Sequence, residues 1–100
     1  MKVLKAELPW TLLAMAWLPE AGALNAQQGL RELMAKFPFA SCVPFGRERT
    51  GVLFRAAAHD APEPALIERV ETLLGLNTAD ALRYADKRLG QHRAARLVRV

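Results

Sequence analysis

Cys42, His59 and His92 are the side chains of this 100-residue sequence best suited to nucleophilic or metal chemistry, and they stand far apart along the chain. One cysteine cannot close an internal disulfide or hold an iron–sulfur cluster alone, and the three positions lack the short spacings by which Cys and His share a metal. Cys42 lies within an apolar run, Phe39–Phe45 (FASCVPF), with no basic residue nearer than Arg47. A thiol without a cation or helix N-terminus beside it keeps a high pKa and reacts slowly, so packing is its expected role. His59-Asp60 has the composition of a base with its orienting carboxylate, yet it falls where a strand passes into a helix, and Asp60 is better placed as that helix's cap. The sequence offers no paired-carboxylate motif and no Ser/His/Asp set.

The loop Gly46–Gly51 has glycines spaced like a phosphate cradle. It fails as one, because Val52 and Leu53 stand where Lys and Ser/Thr are needed, and a hairpin rather than a helix is expected to follow. What remains is a protruding loop whose Arg47 and Arg49 can meet a partner. Trp10 and Trp17 flank an apolar run, where burial in the core explains both.

Positioning these residues requires seven elements. Trp10–Leu18 (WTLLAMAWL), bounded by Pro9 and Pro19, reads as a central strand buried on both faces. Asn25 and Gln28 form a capping-box-like start, and Leu30, Leu33, Met34 and Phe37 follow at helical spacing until Pro38. Phe39–Phe45 and Gly51–Ala58 read as a hairpin, with Pro44 placing the first at a sheet edge. Asp60, Pro62 and Glu63 bracket a second helix start; its stripe is Leu66, Ile67, Val70, Leu73 and Leu74, and Gly75 ends it. Ala81–Ala85 and Arg93–Val100 form a closing hairpin around Gly90. The order β-α-β-β-α-β-β predicts an α+β fold: a ferredoxin-like βαββαβ sandwich with an additional C-terminal strand, an antiparallel sheet and two helices on one face. That fold serves enzymes, RNA binders and spacers alike.

Composition agrees with one small globular domain at residues 1–100: 52% hydrophobic, 24% charged, six Gly and six Pro. Its thin core leaves little room for a large cofactor cavity, which argues against a complete redox enzyme. The net charge of +4 is unevenly placed. Residues 1–80 carry eight Lys/Arg against nine Asp/Glu, whereas 81–100 carry Arg83, Lys87, Arg88, Arg93, Arg96 and Arg99 against Asp86 alone. Such a basic end attracts nucleic acid or an acidic partner in a salt-sensitive way, although Tyr84 is its one aromatic, and single-strand binders interleave several. Lys2 and Lys5 before Thr11–Leu18, with Ala21-Gly22-Ala23 behind, imitate a signal peptide, but Glu7, Pro9 and Glu20 interrupt the pattern. No stretch approaches a membrane span, so a cytoplasmic location without a membrane partner is expected.

Two segments together, Phe39–Ala57 (FASCVPFGRERTGVLFRAA) and, after the helix end at Val70–Leu76 (VETLLGL), Ala81–Leu97 (ALRYADKRLGQHRAARL), resemble the C-terminal region of bacterial assimilatory nitrate reductase catalytic subunits, of the molybdopterin oxidoreductase family. The likeness extends over most of residues 8–98. Its most specific piece, Leu82-Arg83-Tyr84-Ala85-Asp86 with Gly90 and Arg93, is also similar to the start of a small C-terminal domain in flavin-dependent pyridine-nucleotide reductases. The resemblance implies a fragment of a larger protein. The parent's molybdopterin guanine dinucleotide, molybdenum and iron–sulfur clusters would be bound elsewhere, since the four-cysteine motif, the molybdenum ligand and the pterin loops have no counterparts here. The expectation is therefore a non-catalytic accessory domain with no catalytic, cofactor or metal residues of its own. It would pack on other domains of the reductase, with Arg47, Arg49, Arg83, Lys87, Arg88, Arg93 and Arg96 as partner contacts. The alternative is a stand-alone nucleic-acid-binding module using the basic C-terminal hairpin. A hairpin at the end of a truncated chain would also leave an open sheet edge for self-association.

Overall fold

A computed structural model describes residues 9–96. Lys2, Lys5, Glu7, Arg99 and the last residues of the expected terminal strand lie outside them. The elements are β1 (Trp10–Trp17), α1 (Glu20–Met34), β2 (Phe39–Phe45), β3 (Gly51–Ala58), α2 (Pro64–Leu73), β4 (Leu82–Asp86) and β5 (Gln91–Arg96). The α+β class and the element order are those expected, and β2 and β3 keep their expected bounds.

The expectation of a purely antiparallel sheet needs correction. The five strands lie in the order β2-β3-β1-β5-β4, and β5 runs parallel to β1 while the other neighbours are antiparallel. The additional strand is inserted rather than appended. The connection through α2 leaves β4 running the same way as β3, and the turn at Lys87–Gly90 then folds β5 inward, between β1 and β4. Side-chain size explains the inward fold. Ala94 of β5 is buried beside Ala14, whereas β4 is exposed from Leu82 to Ala85 and tolerates only a rim position. Pro44 lies on edge strand β2, as its missing N–H requires.

Two helix starts also differ from expectation. α1 begins at Glu20, and Pro19 is its N-cap without any side-chain cap, so the Asn25/Gln28 box is not used. Pro19 has φ −59° and its carbonyl accepts from the Ala23 amide at 2.8 Å; the residue that closes β1 also nucleates the helix. The buried stripe Ala23, Ala26, Leu30, Leu33 reaches about two turns earlier than the larger residues suggest, because alanines carry its first part. α2 starts at Pro64, behind Glu63, so Asp60 caps nothing and stays exposed with His59. Pro64 at the first helical position, rather than Pro62, sets the start.

Both helices pack on one face of the sheet, and their close approach is fixed at Gly29, where a Cβ would stand 2.8 Å from Leu73. Their stripes enclose Leu12, Ala14, Ala16, Val52, Phe54, Ala56 and Ala94. Fully buried side chains such as Leu12, Leu30, Phe54 and Leu74 stabilise the fold by about 1.5–3 kcal/mol each. Trp10 joins this core, parallel to Phe37 at 6.3 Å between centroids. The expectation that β1 is covered on both faces does not hold: burial alternates along it, with Trp10, Leu12, Ala14 and Ala16 buried and Thr11, Leu13, Met15 and Trp17 only partly so.

The β4–β5 turn is fastened to β1 at Gly90, whose carbonyl accepts from Thr11 N at 2.7 Å and whose φ is +63°. A Cβ there would run into the Pro9 carbonyl. Gly90→Ala is expected to cost about 2–4 kcal/mol through left-handed strain and this clash, read as a lower urea midpoint with unchanged slope. A wild-type midpoint would contradict the assigned register.

Candidate functional site

The uncovered face of the sheet is built by register. Odd-numbered residues of β1, β2, β3 and β5 point to it, together with Leu82, Tyr84 and Asp86 of β4. One row across the strands reads Val43, Leu53, Met15, Ala95, Leu82, and the next reads Ser41, Arg55, Leu13, Arg93, Tyr84. No described helix covers them. Leu82 is 76% exposed, Tyr84 51%, Phe39 49% and Val43 46%, so large apolar side chains meet water on a surface that alternation should have made polar.

Two guanidinium groups interrupt the apolar rows. Arg93 is held in place: its Nη1 donates to the carbonyls of His92 at 3.0 Å and Thr11 at 3.4 Å, and its Nη2 donates to Thr11 Oγ1 at 3.1 Å. Arg55 is exposed and makes no ion pair or side-chain hydrogen bond with the described residues. Between them lies a broad, open depression of about 730 Å³, whose floor includes Leu13 and Ala57 and whose far wall is Pro38 and Phe39. A smaller one of about 180 Å³ adjoins it over Met15 and Leu82.

At one end of this face Trp17 meets Phe45 at 4.9 Å, tilted 59°. A Cβ at Gly46 would strike the Trp17 ring, and one at Gly51 the Phe45 ring. The glycines bounding the β2–β3 loop therefore make room for rings, which is why they resemble a phosphate cradle without its lysine. Trp17 thus sits at the rim of the open face rather than in the helix-covered core.

The seven cations expected as partner contacts do not share a face. Arg47 and Arg49 are exposed in the β2–β3 loop, and Lys87 is exposed in the β4–β5 turn. Arg88 is 3.6 Å from Asp86. Arg83 and Arg96 turn to the helix side, Arg83 to Glu71 and Arg96 to Asp80 at 3.0 Å. Thr78 and Arg96 hold the Asp80 carboxyl below its ordinary range by hydrogen bonding. Of the seven, Arg93 alone lies in the open sheet face, and Arg55, its counterpart, is the residue that sequence reasoning missed. The available signal was the apolar character of both alternating sets in WTLLAMAW and FASCVPF.

A second cluster was also missed. Glu71, at the end of α2 and 5% exposed, accepts from Arg83 Nη2 at 2.8 Å and pairs with His92 Nε2 at 2.7 Å; Arg83 also donates to the Leu76 carbonyl at 3.0 Å. This carboxylate ties α2 to both strands of the last hairpin. His92 is therefore a partner of Glu71 and His59 is exposed. Among the described residues no three His, Cys, Asp or Glu side chains gather into a metal site. Cys42 faces the helices, opposite Phe54, where burial pushes its thiol above the ordinary value and nearby Arg31 only partly opposes the shift.

No family model, curated protein or solved structure matches the chain. No described helix is long and apolar enough to cross a membrane.

Two outcomes are expected. The raised pKa of Cys42 leaves less thiolate at pH 8 than in a free cysteine, so alkylation by iodoacetamide is expected to be slow in the native protein and to reach the free-thiol rate in urea; equal rates in both would refute the buried assignment. Glu71→Ala removes two hydrogen bonds involving charged groups and is expected to cost about 2–3 kcal/mol in urea unfolding, with a loss near zero excluding the latch.

Proposed function

We propose that the chain is a docking module whose uncovered sheet face takes an aliphatic protein surface carrying acidic groups. The carrying observation is the contiguous row Val43, Leu53, Met15, Ala95, Leu82 on a face that no described helix covers. Five strands spaced about 4.8 Å apart and about six residues deep offer about 500 Å² a side, or about 1,000 Å² in all, within the range of contacts between domains of one polypeptide and below that of stable complexes of separate proteins. That area favours an accessory domain held beside its partner by covalent linkage or high local concentration.

The fold reads as a ferredoxin-like arrangement modified by insertion of β5, since β1-α1-β2 and β3-α2-β4 each return the chain in its original direction. The resemblance to assimilatory nitrate reductase catalytic subunits supplies the partner for this reading: a neighbouring domain of such an enzyme, in a cytoplasmic protein of nitrate assimilation. On that reading, molybdopterin guanine dinucleotide, molybdenum and iron–sulfur clusters would belong to the parent's other domains. This chain would contribute surface and position.

The nucleic-acid reading is weaker on geometry. Exposed Phe39 and Tyr84 lie on opposite edge strands, about 19 Å apart across four strand spacings, far more than the 3.4 Å of stacked bases. The central strands offer Leu13, Met15 and Leu53 where stacking requires rings.

Selection of a displayed random-peptide library on the immobilised protein tests the proposal. Enriched peptides are expected to combine aliphatic and acidic residues and to lose binding to a Val43→Glu/Leu82→Glu variant that retains native circular dichroism. Absence of enrichment, or enrichment indifferent to those substitutions, would count decisively against a docking face. Tight, salt-sensitive binding of single-stranded RNA would favour the rival.

A further inference from the structure

We infer that the depression between Arg55 and Arg93 is a carboxylate subsite that receives an Asp or Glu side chain of the docked partner, with a neighbouring apolar residue of that partner against Pro38 and Phe39. The inference rests on the docking reading and names the chemistry that gives it register.

Leu13 pairs in register with both Arg55 and Arg93, so the two arginines stand about 10 Å apart at the backbone on either side of one apolar side chain. Long side chains from such positions can bracket a single anion. Arg93 is already oriented by Thr11 and the His92 carbonyl, so its ordering on binding costs little. The described acidic residue on this face, Asp86, is on the far rim and occupied: its Oδ1 accepts from the Arg88 amide at 2.9 Å and its Oδ2 from the Tyr84 hydroxyl at 3.3 Å. Two cations in an apolar hollow thus lack a facing counter-charge among the described residues. The hollow, about 730 Å³, is larger than a carboxylate and has room for the residue next to it.

Charge decides the occupant. A second copy of this chain, at +4, would bring four guanidinium groups together with no acid between them, whereas an acidic segment neutralises both while its aliphatic neighbours cover the adjoining row. Covering the pair excludes water and strengthens the charge-assisted hydrogen bonds that Arg makes to a carboxylate.

The test uses the whole chain and a peptide enriched on it, followed by calorimetry. Replacing the peptide's acidic residue by its amide, or making Arg55→Glu in the protein, is expected to weaken binding about tenfold or more, and a peptide carrying Lys at that place is expected to regain affinity for the Arg55→Glu protein. Arg55 is exposed and makes no ion pair or side-chain hydrogen bond with the described residues, so its substitution is expected to preserve the native circular dichroism. Peptides that bind but change affinity less than about twofold on these substitutions overturn the subsite and leave docking standing. No peptide binding at all overturns both. Displacement of the peptide by inorganic phosphate at comparable concentration would instead assign the arginines to phosphate.

Discussion

Covering a five-stranded sheet with apolar residues on both sides requires two layers, and residues 9–96 supply one. α1 and α2 together enclose the face bearing Leu12, Phe54 and Val70, and nothing else in residues 9–96 is available for the opposite side. Helix length, the small residues at the α1–α2 contact and the alanines of the central strands all serve the covered face. The uncovered one inherits an aliphatic character that hydration opposes. That imbalance is the source of the functional reading, because the free energy left unrealised by the isolated chain is available to a partner.

The mixed sheet follows from the same allocation. β5 sets Ala94 and Ala95 beside Ala14 and Met15 of β1, and β4, with polar and charged groups on both sides, has the composition of a rim. Glu71 makes the arrangement specific. A carboxylate at the end of α2 that accepts from Arg83 on β4 and pairs with His92 on β5 engages both strands only when β5 lies inside β4. A buried charge so paired contributes register more than net stability, since its removal from water offsets much of the attraction.

Much of this was legible in the residues. Pro44 announced an edge, glycines and alternation set the bounds of the first hairpin, Pro19 marked the end of the first strand, and Gly75 the end of the second helix. Strand direction at the C-terminus was not legible, because a hairpin's sequence fixes its turn and not the side on which it folds; Ala94 beside Ala14 settles that only once the sheet exists. The start of α1 was obscured because alanines carry its first buried turn, and Asp60 resembled a cap that Pro64 made unnecessary. The distribution of the cations over the two faces was hidden for a related reason. Counting cations along the last twenty residues suggested one basic surface, but strand alternation sends Arg83 and Arg96 to one side and Arg93 to the other, where its companion Arg55 comes from β3.

The two rims of the sheet are chemically unequal. β2 carries a pyrrolidine ring where an incoming strand would need a donor, while β4 presents its backbone from Leu82 to Asp86 without a proline. A ribbon that can be extended on one side only forms a closed pair and then stops, since fibrous growth needs two receptive sides per molecule. Any edge-to-edge pairing through β4 would therefore stop at a twofold species instead of continuing into filaments.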